Sequence, residues 1–367
     1  MLKSIGLKNF KVHKNVDVDF RPITIFAGIN GMGKSSIIQA LLLLRQSGLN
    51  GNINGLNLKG ALCDAGTAYD VLSQEASENI IHFDLYADEG DLRLRYEIQN
   101  GMDTFLSKQV SRMRGDHRSI SLFTDDFQYI SAFRFGPQST YRRDTFAVKL
   151  HRQISEEMGK CEYAVHFLFE YGKLIKVQPN LRYPGTEYYQ LEDQVHAWMN
   201  AIAPGIMIKI DQQGKDLNLS YRYSRENSIP TRDISALNTG FGITYMLPLL
   251  VALLSAKPGA LIIIENPEAH IHPRAQAVLM DLVAKCAKEG IQVILETHSD
   301  HIINGAMVAV HDGFPANDIA VYYIDRAVDE HASVMERLDV QQDGRILHAP
   351  AGFFDQIDID LERIIGL

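Results

Sequence analysis

"GINGMGKSS" spans Gly28 to Ser36, with "ITIFA" (Ile23–Ala27) before it and "IIQALLLLRQ" (Ile37–Gln46) after it. The order is apolar strand, glycine-rich turn, apolar helix. The spacing is Gly28, four residues, then Gly33-Lys34-Ser35, which is the pattern of a phosphate-binding loop. Glycines let backbone N–H groups point inward at phosphate oxygens with no Cβ in the way, and the helix that follows adds the positive end of its dipole. Asn30, Gly31, Met32 and Ser36 complete the cradle, Lys34 is suited to the β/γ-phosphates, and the Ser35 hydroxyl to Mg²⁺. A chance glycine-rich turn is the alternative, and the full pattern in its strand–helix context weighs against it. The loop is expected to hold a nucleoside triphosphate with Mg²⁺.

The chain has 367 residues, 46% hydrophobic and 22% charged, an ordinary globular composition with room for one large or two modest domains. A formal net charge of −9 excludes a chain that is basic throughout, while DNA contact through a local basic patch stays open. Cys63, Cys161 and Cys286 have no metal or redox spacing, which fits a reducing cytoplasm. No apolar run approaches the ~20 residues of a membrane span, and "MLKSIGLKNF" lacks the apolar core of a signal peptide. A cytoplasmic chain without a membrane partner is expected.

Leu2–Phe10 and Val16–Phe20 alternate as strands, and from Asn79 to about Ser111 short alternating runs with turns at Asp88–Gly90 and Asn100-Gly101 read as an antiparallel meander. "YISAFRFGP" (Tyr129–Pro137) reads as a further strand, Asp144 to about Ala203 as helical, and "IMIKIDQQGKDLNLSYRYS" as a hairpin turning near Gly214. Near the end, "TYMLPLLVALLSA", "ALIIIE", "PRAQAVLMDLVAKCAKEG" and "QVILETHS" alternate helix and buried strand, which implies a parallel sheet covered on both faces. The expected divisions are 1–60 and 231–310 as two parts of one nucleotide-binding core, 61–143 as an antiparallel β lobe, 144–230 as a helical and hairpin insert, and 311–367 as a small C-terminal domain.

A phosphate loop needs a metal-linked acid at the end of a neighbouring strand. "LIIIENPEAHIHP" offers Glu265 there, with Glu268 three residues on and Asn266 between; solvated carboxylates at a capped strand end are the alternative. His298 in "LETHSD" ends another core strand and is a candidate to sense the γ-phosphate, or else a structural histidine. Gly240 and Gly242 in "NTGFGITYMLPLL" open a helix and make a second anion cradle. One nucleotide needs one cradle, so the second makes sense over the nucleotide of another subunit; a helix cap with a tight turn is the other reading.

Taken in order, "LKNFKVHKN", "GINGMGKSS", the glycine motif, "IIIENPEAHIHP" and "ETHSDHI" resemble the ABC-type P-loop ATPases of the SMC, RecF and OLD (overcoming lysogenization defect) class, closest to its stand-alone prokaryotic AAA-family members. "DGRILHAPAGFFDQ" (Asp343–Gln356) is similar to the small C-terminal domain of many of them, and residues 60–230 are weakly covered. The resemblance implies an α/β ATPase head: a mixed sheet core with an antiparallel β lobe and a helical insert. It also implies a head-to-tail homodimer or higher oligomer with two ATPs sandwiched between protomers. In it Gly240–Gly242 takes the place of the signature motif, Lys11 of a basic residue near the phosphates, Glu265 of the metal-linked acid and His298 of the switch histidine.

Two departures follow. The position after Glu265, often a water-activating glutamate in this class, is Asn266, whose amide accepts no proton; slow hydrolysis, or use of Glu268 for the attacking water, is expected. No long coiled-coil arm interrupts the chain, and a chain without the Toprim nuclease domain of OLD proteins is expected. The expected activity is an ATP-operated switch controlling a nuclease-like effector encoded nearby, in antiphage defence or DNA repair. A non-hydrolysing ATP-binding scaffold is the alternative, and a small-molecule kinase fits less well because Gly240, Gly242 and His298 would have no role. His270, His272, His298 and His301 lack paired zinc-ligand spacing. Arg134, Arg142 and Arg143 read as solvated loop arginines or as contacts to nucleic acid or nucleotide, and Gln74 as a link between nucleotide and lobe.

Overall fold

A computed structural model describes residues 1–49, 53, 55–224, 229–327, 331–350, 352–354 and 356–365, without the side chains of 109–111 and 356–359. Positions 351 and 355 of the expected C-terminal motif lie outside the described residues. Strands β1 (Leu2–Phe10) and β2 (His13–Asp19) precede β3 (Ile23–Gly28), which feeds the glycine loop and α1 (Lys34–Gly48). Then come β4 (Gly55–Asn57), α2 (Ala68–Val71), β5 (Ile80–Ala87), β6 (Gly90–Glu97), β7 (Phe105–Gly115) and β8 (Phe127–Ile130). The middle of the chain holds α3 (Ala164–Tyr171), α4 (Leu191–Ile202), the hairpin β9 (Ile206–Gln213) and β10 (Asp216–Tyr223), and β11 (Ile234–Ser235). The last third runs α5 (Phe241–Ser255), β12 (Leu261–Glu265), α6 (Pro273–Lys288), β13 (Gln292–Glu296), α7 (Asp300–His311), β14 (Ile319–Arg326), β15 (Ser333–Arg337), β16 (Asp339–Val340), β17 (Ile346–Leu347) and α8 (Gln356–Ile365).

Two six-stranded sheets organise these elements. One is ordered β15-β14-β3-β13-β12-β8, parallel except for β15; the other, β2-β1-β5-β6-β7-β4, is antiparallel. This is the P-loop ATPase-head fold with a mixed sheet core and an antiparallel lobe. Alternation along β3 shows how the core divides: Ile23, Ile25 and Ala27 pack into a core shared with α3–α7, while Phe26 faces the other core, shared with α1 and the antiparallel sheet. Helix α1 lies between sheet and lobe, buried nearly all round. Its sequence "IIQALLLL" accordingly lacks a polar face, because no face meets water.

Three expectations need correction or refinement. Residues 144–203 are helical only over a π-turn (Phe146–Leu150), a short 3-10 turn (Pro179–Leu181), α3 and α4. Between these, side chains replace the helix ladder: the Glu162 carboxylate accepts from Ser155 Oγ at 2.7 Å and from the Glu156 and Glu157 amides at 2.8 and 2.9 Å. The strand expected over Tyr129–Pro137 ends at Ile130, where Ser131 starts a turn by accepting the Phe133 amide on Oγ and the Arg134 amide on its carbonyl. Residues after 318, expected in a separate small domain, supply β14 and β15 to the parallel sheet, with β14 directly beside β3.

Register decides the placement of the chemistry. Glu265 pairs with Glu296 across β12 and β13, and Glu296 with Phe26 across β13 and β3. The carboxyl ends of three adjacent parallel strands are therefore level with the glycine loop, where open α/β sheets place their ligands.

Candidate functional site

The loop from Gly28 to Ser36 leaves β3 by a backbone path that demands glycine at its start. Gly28 has φ 134°, and a Cβ there would lie 2.1 Å from the Ile324 carbonyl oxygen of β14. Close packing of β14 on β3 and the loop's first bend are thus one requirement. Lys34 folds back over the loop, its Nζ donating to the Gly28 and Ile29 carbonyls at 2.9 and 2.6 Å. Burial holds its pKa below the usual lysine range, with Glu296 and Glu268 pulling the other way. His13 Nε2 donates to the Gly33 carbonyl at 3.0 Å, and the Ser333 hydroxyl donates to the Met32 carbonyl.

A cavity of about 440 Å³ opens on one side of the loop, walled by Lys34, Ser35, Glu265, Asn266, Glu296 and His298 among others. Asn30, Gly31, Gly33 and Ser36 line it from the loop. Ser35 Oγ donates to Glu296 Oε1 at 2.8 Å. Glu296 Oε2 is buried and has no hydrogen-bond partner among the described residues. Tyr129 donates its phenol to Glu265 Oε2 at 3.1 Å. Two buried carboxylates side by side resist ionising together. Burial first, and Glu296 second, push Glu265 up to about 7, and burial also raises Glu296 against the opposing Ser35 bond and Lys34 charge.

This donor set suits a hard divalent cation. A hydroxyl beside a carboxylate with an orphaned buried oxygen, backed by a second carboxylate, offers oxygen ligands and needs positive charge. Glu296 escapes the sequence reading, although "QVILE" ends in the same way as "LIIIE"; the parallel between the two strand ends is the signal that could have found it.

Glu268 is arranged differently from the expectation. It is not on the wall of this cavity. Its two oxygens accept from Thr297 Oγ1 and from the His298 amide, both at 2.8 Å. The carboxylate so fixes the turn that carries His298. The imidazole of His298 is solvent-accessible, while partial burial and the Lys34 ammonium hold it below the ordinary histidine range.

Lys11 lies on the other side of the loop, at φ 53°, with its Nζ donating to Gln39 Oε1 of α1 at 2.6 Å. It lines a second cleft of about 580 Å³, shared with Gly31, Met32, Tyr69, Gln74, Arg326 and His331. The loop therefore runs between two clefts. Gln74 is in the second of them, beside the lobe.

Gly240 and Gly242 line neither space. Gly240 is exposed and caps α5, and a Cβ added to it would meet nothing within 4 Å. Gly242 has a packing reason: a Cβ would lie 2.4 Å from the His270 carbonyl.

Arg134, read as a solvated loop arginine, is 1% exposed. Its guanidinium donates to the carbonyls of Ser131, Glu265, Asn266 and Pro267. Arg142 and Arg143 remain at the surface, Arg143 pairing with Glu170 at 3.2 Å. Among the described residues no three His, Cys, Asp or Glu converge as a metal cage; His270 packs on Phe241 and Tyr245, and His272 Nδ1 accepts the Arg274 amide at the start of α6.

Comparison with known proteins matches three stretches. Residues 1–131 match an AAA ATPase domain and residues 182–304 an AAA domain described as a putative AbiEii toxin of a type IV toxin–antitoxin system. Residues 314–364 match a protein of unknown function, DUF3696. The Old nuclease of Escherichia phage P2 is 24% identical over 344 residues, 84% of this chain; the chain spans 58% of that relative's length. Among solved structures, an SMC head bound to the C-terminal winged-helix domain of ScpA is similar with a TM-score of 0.55 at 14% identity, covering 93% of this chain and 98% of the other. An SMC head with an extended coiled coil, bound to the C-terminal domain of ScpA from Pyrococcus furiosus, gives 0.52 at 14% identity, with 99% of each chain covered. These two share the fold.

Proposed function

We propose that this chain, an SMC/OLD-like P-loop ATPase by fold and by sequence similarity, binds and hydrolyses ATP as a switch that assembles two protomers around nucleotide and controls a partner protein. The observation that carries the reading is the Ser35–Glu296 pair under the phosphate-binding loop, with its second carboxylate oxygen unpartnered and buried among the described residues.

In this reading the loop amides and Lys34 hold the phosphates, and Lys11 with exposed Tyr69 lines the cleft for the nucleoside side. Ser35 and Glu296 would hold Mg²⁺, with Glu265 beside them; the ion supplies charge neutralisation for phosphoryl transfer. Glu265, on the cavity wall beside them, supplies a carboxylate that takes a proton from water. Asn266 cannot do so, and Glu268 acts by holding the His298 turn. His298 then reports on the γ-phosphate from the end of β13. The partner is proposed to be nuclease-like, because the matched relative is named a nuclease; antiphage defence or DNA repair is the proposed setting.

A second reading, an ATP-binding scaffold that does not turn over, is favoured by Asn266 and by the engagement of both Glu268 oxygens. Phosphate release by purified protein separates the two. The ATPase reading expects turnover that Lys34→Ala abolishes and Glu296→Gln lowers by at least about tenfold, the scale of a lost metal-side group. Nucleotide binding with no release above the Lys34→Ala background would leave the scaffold.

A further inference from the structure

We infer that Arg134 is a positioning residue that ties the acid-bearing end of β12 to the first turn of α5, so that a change at the nucleotide cavity moves the exposed Gly240 tip. The inference rests on the function proposed above. It begins from a cost. Arg134 is a buried cation; among the described residues no carboxylate hydrogen-bonds to it, and its Nε has no partner. Exchanging such a charge for a well-packed apolar side chain is often neutral or stabilising, so packing alone does not account for it.

What the charge holds is specific. Nη1 donates to Ser131 O and Glu265 O at 3.2 and 3.1 Å, and Nη2 to Asn266 O and Pro267 O at 2.9 and 3.4 Å. Three consecutive carbonyls at the end of β12 are thus gathered on one planar fork, across a turn where Asn266 takes φ 45°. A lysine, with a compact ammonium, cannot span them.

The guanidinium also lies 5.1 Å from the centroid of the Tyr245 ring on α5. Tyr245 in turn packs on His270 at 4.7 Å, and Phe241 at 5.7 Å from the same ring. The Gly242 backbone abuts the His270 carbonyl. The loop bearing Arg134 joins the two ends directly. Ala132 and Phe133 line the phosphate-loop cavity, and a Cβ on Gly136 would lie 3.1 Å from Tyr245 and 3.4 Å from Phe241. Cavity wall, strand end, arginine and helix tip form one packed unit, with the charge at its centre.

Hydrogen exchange measured by mass spectrometry with and without ATP and Mg²⁺ tests this on the full chain. In the wild type, nucleotide is expected to slow exchange in the peptides covering 28–37, 264–271 and 240–246. In Arg134→Lys, slowing persists at 28–37 and is lost at 240–246, by about tenfold, inside the 5–150-fold range of coupling between sites. Tyr245→Leu, which leaves the arginine bonds to the strand end intact, is expected to lose the 240–246 response alone, and Tyr245→Phe to restore it. Equal tip protection in wild type and Arg134→Lys, or no tip response in a wild type whose 28–37 peptide is protected, overturns the coupling. Absence of protection at 28–37 itself overturns the ATP reading and the coupling with it. If Arg134→Lys does not fold, the Tyr245 pair decides.

Discussion

Glu265 shows how burial of a single carboxyl makes folding stability depend on pH. An unfolded chain ionises it near the ordinary carboxylate value, whereas the native protein holds its proton to about 7. Between those values the native state binds the extra proton, so folding stability falls as pH rises through that window and is constant above it. At about 1.4 kcal/mol per pH unit, the loss is on the order of 3 kcal/mol. Glu265→Gln keeps the shape and removes the titration. Without nucleotide or Mg²⁺, its urea midpoint is expected to match the wild type near about pH 4 and to exceed it near about pH 8. Parallel pH profiles of the two proteins would show that burial of this carboxyl carries no such cost. A residue kept against stability at a cavity wall is a common mark of a functional group.

At the scale of the element, the first turn of α5 separates two glycines that look alike in sequence. Gly240 has φ −55° and open space around it, so alanine fits without strain. Gly242 abuts the His270 carbonyl, and alanine there must push the helix off its seat at a cost of about 1–3 kcal/mol. Gly242→Ala is therefore expected to lower the melting temperature, and Gly240→Ala to leave it unchanged. If the tip meets nucleotide bound by another copy, Gly240→Ala weakens ATP-dependent assembly without a change in melting temperature. Differential scanning calorimetry with sizing in ATP and Mg²⁺ checks both; assembly unaffected by Gly240→Ala would remove the tip from the interface.

For the whole molecule, Gly240 and Gly242 line neither cleft beside the phosphate loop, so a nucleotide met by the tip is expected to be one bound by another copy. Light scattering in saturating ATP and Mg²⁺ is expected to give twice the monomer mass or more for wild type and Glu265→Gln, and the monomer mass for Lys34→Ala. Nucleotide that binds only the native state also raises stability, by about 2.7 kcal/mol at a hundredfold excess over Kd. A wild type that gains this stability yet stays monomeric would separate binding from assembly. Among the described residues no helix is long and apolar enough to cross a membrane.

Local features follow from the sequence without help from the fold. The phosphate loop is legible because eight adjacent residues specify their own backbone path, and the meander and the parallel core because burial on one or two faces imposes a period on neighbouring residues. The same logic marks Glu265 at a strand end. Partners, by contrast, come only with packing in three dimensions. Ser35 meets Glu296 across 261 positions, and Arg134 meets Glu265 across 131. A hydropathy pattern records that a position is buried, and nothing in it names what lies opposite. Hence the Ser35–Glu296 pairing, the buried arginine and the side-chain-held loops of 144–203 emerge only when strand register and packing bring distant residues together.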